Sequence, residues 1–312
     1  LSASNAISSS RKAPAGAARP RSGASSSSTA RHFTLDGPSV LLDPRLNAWR
    51  NDIADIALAD RLFAPHYAEA LVRACGLIPT MVRSGPSDDA EAVSQLLPGE
   101  EFAVLDISAG WAWGYCRLDR RVGYVEAIEL AAPLDPSHIV VEAQAPVQAA
   151  PDPVSSALSF LPMGSRLRGK VRGAVLEFEG GFIALSYLRP IGEAEEDPVT
   201  VAQRLMGTLY RRGGRTLHGI DCSGLLQLSL QLCGIACPRD TVDQRSLGDP
   251  VPEHAPLRRG DLLFCEEHVG MMVDDRMAIQ VSHEAHKVTV EPFTCAQRAG
   301  SAEGLERRRI AL

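Results

Sequence analysis

The chain has 312 residues, with 32 Lys and Arg against 38 Asp and Glu for a formal net charge of −6, and is 45% hydrophobic and 22% charged. That make-up and length predict two or three domains with modest cores. The acidic balance excludes the basic field that nucleic-acid binding needs, and no apolar run approaches the roughly 20 residues of a bilayer-spanning helix.

The first residues, 1–32, are Ser, Ala, Pro and Arg with almost no large apolar side chains. Such a tail cannot bury enough surface to offset its ordering entropy, so disorder is expected there. Residues 33–72 form a short unit in which Leu46, Trp49, Ile53 and Ile56 recur at three- and four-residue steps. That spacing predicts a helix face, ended by Ala64-Pro65.

From 73 to 132 the pattern becomes strand-like. Phe102–Leu105, Trp111–Tyr115 and Val122–Val125 are separated by Gly- and Pro-containing turns, which predicts a small barrel. Its order of motifs resembles a bacterial SH3-like domain. Residues 133–192 predict a second, more divergent unit of that kind, with strands at 138–141, 166–171, 174–178 and 181–185. The acidic run 193–198 is expected to be a linker.

Residues 199–312 have an α+β pattern. Helices are expected at 199–210 and 222–233, with Leu225, Leu228 and Leu232 on one face of the second and Gly234 ending it. Strands are expected at 261–265, 268–273, 278–282 and 287–290. A helix followed by a meandering sheet is the papain-like order of parts.

The chemistry concentrates in Gly219-Ile220-Asp221-Cys222-Ser223-Gly224 and Glu267-His268-Val269-Gly270. A cysteine opening a helix sits among unpaired N–H groups at the positive dipole end, which favours a thiolate. A histidine on a later strand can take its proton. Taken alone, Cys222 is as readily a buried structural thiol as a nucleophile; the later histidine decides for the nucleophile. Gln280, across the next hairpin, has a side-chain carbonyl able to orient the imidazole, and its other reading is a solvent-facing strand residue. Asp240, from spacing alone, is a helix cap. Cys265-x-x-His268, Cys233-x3-Cys237 and His283-x-x-His286 have ligand-like spacing, but none belongs to a paired zinc pattern. No metal site and no cofactor are expected. The odd number of cysteines, 7, argues against a disulfide framework and for a reducing, cytoplasmic setting. No signal-peptide core is visible, although a start at Leu1 leaves a periplasmic or extracellular location open.

Together with Tyr210, Gly213-Gly214, Pro238-Arg239-Asp240-Thr241, Gln244, Leu257 to Phe264 and His268-Val269-Gly270, these residues resemble the NlpC-type cell-wall peptidases (the NlpC and p-sixty family). With SH3-like domains upstream, the chain is similar to three-domain members acting on murein peptides. The resemblance implies a papain-like domain and a cysteine endopeptidase cleaving the γ-D-glutamyl–diamino acid amide of stem peptides, short ones with a free N-terminal L-alanine. It implies Cys222 as nucleophile, His268 as base, Gln280 as third polar residue and Tyr210 as oxyanion donor. Ser223 and Asp240 would hold the L-alanine amino group. Gln280 stands where the family most often has His, Arg212 where a Trp is common, and Arg121 where a Tyr faces the substrate. These departures predict altered specificity or reduced activity. A murein-peptide or partner binder without turnover, and an acyltransferase using the same thiol, are the other readings.

Overall fold

The structure, a computed structural model, describes residues 41–152, 155–293 and 304–311. The tail assigned to 1–32 lies outside the described residues.

Residues 41–70 correct one expectation: they contain no α-helix. The Asp43 carbonyl closes one turn by accepting the N–H groups of Leu46 and Asn47. The chain then pairs Ala54–Asp55 in parallel with Tyr67–Ala68, and the Asp55 carboxylate caps a single 3-10 turn, Ile56–Leu58. The apolar spacing does not define one face, because Ile56 is 53% exposed. Ala48 and Ile53 instead dock on Leu105 and Trp113 of the next unit. Burial against a preformed sheet has overridden a weak local pattern.

The first β unit is a seven-stranded sheet. Its core strands, Glu101–Ser108, Trp111–Cys116 and Val122–Glu126, pair in sequence as antiparallel neighbours. Val82, Phe102, Ala112 and Val125 point into a common core. The second unit combines a three-stranded and a five-stranded sheet around Val140, Val147, Leu161 and Ile183.

The last unit is a six-stranded antiparallel sheet with helices packed on it. Its order is Asp249–Pro250, Glu306–Arg309, Leu262–Cys265, His268–Met272, Met277–Val281 and Val288–Pro292. Helix α1, Pro198–Gln203, is shorter than expected. Asp197 caps it by accepting the N–H groups of Val199 and Thr200. Beyond Gly207, which has a φ of +81°, the chain is extended: Leu209 bridges Lys287, and Tyr210 bridges Ile220. Tyr210 is thereby part of the sheet-like wall rather than a helix.

Helix α2, Cys222–Leu232, runs through the centre. A surface helix would show one polar face; here Ser223 to Leu230 are all buried. Leu225, Leu226 and Leu228 share one core with Val269, Met271 and Ile279 of the sheet and with Leu97, Val141 and Met163 of the two β units. Each fully buried leucine contributes roughly 1.5–3 kcal/mol, so this shared core fixes the end of α2 that bears the thiol. Arg215, 2% exposed, adds a polar joint. It makes two charged hydrogen bonds to Glu100 at 2.7 and 3.0 Å, and one each to the Gln95 carbonyl and Gln231. Among the described residues, no helix is long and apolar enough to cross a membrane.

Candidate active site

The site is built on the start of α2. Asp221 caps the helix with Oδ1, which accepts the Gly224 N–H at 2.7 Å. Its Oδ2 accepts the Gly213 N–H at 2.8 Å and Arg239 Nη2 at 2.7 Å. Gly213 has a φ of +72°, a turn conformation that costs a glycine nothing. Arg239, 2% exposed, also donates to Ser223 Oγ at 2.7 Å and Ser94 Oγ at 3.1 Å. One buried guanidinium thus ties the helix start to the first β unit. The sequence marked Arg239 only by its place in Pro-Arg-Asp-Thr.

Cys222 is partly exposed, and its sulfur lies 3.6 Å from the carbonyl oxygen of Glu267, the residue just before His268. Removal from water, and then the nearby Asp221 charge, push the thiol up to about 11 from an ordinary 9.0. The Val269 and Ser223 backbone and the Thr241 hydroxyl oppose this only in part. A helix dipole contributes typically ~0.3–1 kcal/mol, and here it is outweighed. The sulfur therefore rests as a neutral thiol rather than the thiolate that the helix start alone predicts.

His268 opens the strand beside it and is 6% exposed. Its ring stacks on Phe293 at 5.5 Å between centroids, with His283 tilted at 4.4 Å. A Cβ on Gly270 would lie 2.8 Å from the Phe293 ring, so glycine is what lets that ring approach. His268 Nε2 is 3.0 Å from Gln280 Oε1. Gln280 Nε2 in turn donates to Glu291 Oε1 at 2.8 Å. A carboxylate oxygen in such a contact accepts the hydrogen bond of the amide N–H. Glu291 therefore turns the amide nitrogen toward itself and the amide oxygen toward the imidazole. The proton is then on Nε2, leaving Nδ1 as the basic nitrogen. Burial pushes His268 down to about 4, against the opposing effect of Gln280. Around neutral pH, thiol and imidazole are both uncharged.

A groove of about 310 Å³ opens over Cys222. Ser223, Tyr210, Arg212, Arg121 and Asp240 all line it, while His268 and Gln280 are buried and are not among its lining residues. Arg212 is ion-paired with Glu91 of the first β unit. Asp240 is met by Arg45 at 2.8 Å and Arg121 at 3.1 Å. Arg45, from the N-terminal segment, and Glu291, diagonal to Gln280 in the sheet, carried no sequence signal. Among the described residues, the thiols of Cys75, Cys116, Cys222, Cys233 and Cys237 are free, while Cys265 is disulfide-bonded.

The profile of the NlpC/P60 family matches residues 207–298, and that of the bacterial dipeptidyl-peptidase Sh3 domain matches residues 82–130. A probable endopeptidase NlpC homolog of Haemophilus influenzae is 37% identical over 86 residues, covering 27% of this chain and 46% of that protein. The murein DD-endopeptidase MepS/murein LD-carboxypeptidase of Escherichia coli K12 is 35% identical over 82 residues, 24% of this chain and 43% of that protein. The chain thus spans less than half the length of these curated relatives. The crystal structure of an NlpC/P60 family protein from Bacillus cereus shares the fold with a TM-score of 0.64 at 17% identity, over 77% of this chain and 99% of that one. Cys222 and His268 therefore lie in the stretch of this chain, residues 207–298, that matches the NlpC/P60 family, within a papain-like α+β fold, and residues 82–130 upstream match a bacterial SH3 domain.

Proposed function

We propose that this chain is a cysteine endopeptidase of murein stem peptides, hydrolysing the amide between γ-D-glutamate and the diamino acid. The observation that carries the reading is the thiol of Cys222, open to a groove and 3.6 Å from the carbonyl oxygen of Glu267, the residue before His268, whose ring begins the His268–Gln280–Glu291 relay. The murein substrate is supported by the likeness to the Escherichia coli murein DD-endopeptidase/murein LD-carboxypeptidase.

Because both groups are neutral at rest, the thiol proton moves to Nδ1 as sulfur attacks the γ-carbonyl carbon. The imidazolium so formed is stabilised through Nε2–H by the Gln280 oxygen. The Cys222 N–H and the Tyr210 hydroxyl, on residues that line the groove, serve in this reading as the oxyanion donors. Collapse breaks the C–N bond, and the leaving amine takes the proton from His268. Water, deprotonated by the same imidazole, then hydrolyses the thioester and regenerates the thiol.

Mass spectrometry of a pool of murein peptides incubated with the protein tests the reading. Wild type should release free diamino acid or diamino-acid peptides, and Cys222→Ala should release none while staying folded. Cleavage that persists in Cys222→Ala removes the mechanism. The raised thiol pKa favours one other reading, binding without turnover, in which wild type leaves every peptide whole.

A further inference from the structure

The Asp240 end of the groove is not a free carboxylate awaiting an amine. Oδ2 of Asp240 already faces Nη1 of Arg45 at 2.8 Å and Nη1 of Arg121 at 3.1 Å. The two arginines differ in what else they hold. Arg45 is fully engaged: Nε and Nη2 donate to Asp43 at 3.2 and 2.7 Å, and Nη2 reaches Asp243 at 3.3 Å. One guanidinium thus serves carboxylates on two edges.

Arg121 is served on one edge only. Its Nε–H is buried without a partner, although the side chain, 11% exposed, lines the same groove as Cys222. A guanidinium has five donors in a planar fork that matches a carboxylate, and a buried donor left unmet is costly. The edge that in Arg45 holds Asp43 is the edge whose Nε is unmet in Arg121. A substrate ammonium at this end would have to displace a guanidinium from Asp240. A carboxylate would complete Arg121 without breaking the existing pair, provided that the guanidinium turns its buried Nε edge out to meet it.

We infer that Arg121 is a specificity-determining residue that receives a carboxylate of the substrate. This rests on the murein reading above, which names the group. A γ-linked D-glutamate keeps its α-carboxylate free on the acyl side of the scissile bond, a short alkyl stem from the carbonyl that Cys222 attacks. The groove therefore selects peptides in which that group is ionised over those in which it is amidated to isoglutamine. Asp240 acts here as the positioning residue that holds the Arg121 fork.

The test is calorimetric binding to full-length Cys222→Ala, which cannot turn over. The ligands are L-alanyl-γ-D-glutamyl-diaminopimelate and its isoglutamine counterpart. The expected result is binding weakened about tenfold or more by amidation, the size of one charge-assisted hydrogen bond. Adding Arg121→Gln should remove the difference by weakening only the unamidated ligand. Equal affinity of Cys222→Ala for the two peptides overturns the inference with no second variant needed, and so does discrimination that survives Arg121→Gln. Failure of the murein reading looks different: neither peptide binds Cys222→Ala, and wild type cleaves neither.

Discussion

Replacing His268 by Gln should change how stability depends on acidity, by an amount the site itself sets. The imidazole is 6% exposed, stacked on Phe293 and beside His283. It titrates near 6.5 in an open chain and at about 4 in the folded one, chiefly because burial disfavours the charged ring. Between those two values the unfolded chain binds a proton that the native chain refuses. The stability associated with the neutral ring is fully present above 6.5 and is lost as pH falls through 6.5 to about 4. At 1.36 kcal/mol per pH unit, the loss comes to about 3 kcal/mol. His268→Gln has no such proton to refuse. Urea unfolding of both proteins at pH 7, 6, 5 and 4 should therefore show wild type losing about 3 kcal/mol more than the variant across the series. His138, whose pKa burial also lowers, titrates in both proteins and cancels, as does the bulk of the carboxylates. Two stability curves that run parallel from pH 7 to pH 4 would refute the reasoning, since they would mean that the ring takes up its proton as easily folded as unfolded.

Two further substitutions probe the frame around the site. Glu100→Gln leaves the Arg215 guanidinium buried without its charge partner, and the expected cost is about 3–5 kcal/mol, read as a lowered urea midpoint; a loss below 1 kcal/mol would show that the joint is not needed. Glu291→Gln permits the Gln280 amide to turn either face to His268. It should lower kcat/KM on the tripeptide by about 3- to 10-fold, the worth of an ordinary hydrogen bond, while Glu291→Asp should restore part of it. Unchanged kcat/KM in Glu291→Gln would show that the amide is oriented by something else.

The residues proposed to react could be seen in the sequence because each is announced locally. Asp221 before Cys222 and the small residues after it mark a helix start, and the alternation around His268 and Gln280 marks two strands of one hairpin. What could not be seen depends on distant partners. Arg45 and Asp240 are 195 residues apart, and no local pattern says that the N-terminal segment ends against the groove. Glu291 becomes meaningful only once the register pairs Gln280 with Thr289, two positions away on the neighbouring strand. The expected N-terminal helix failed for the same reason in reverse: Ile53 belongs to a core supplied by Leu105 and Trp113, and a three- to four-residue spacing cannot distinguish that from a helix face. At Cys222 the helix-end rule could not see the burial that competes with it and pushes the thiol up to about 11.

The burial of α2 on every side limits how this protein can be dissected. Leu97, Val141 and Met163 belong to the β units, yet they close the same core as Leu228. An excised fragment beginning near residue 197 would present those leucines to water as an adhesive face, and it would aggregate rather than behave as a minimal enzyme. The upstream units are, in this respect, the lid of the hydrophobic interior, and truncation series intended to map activity would report solubility instead.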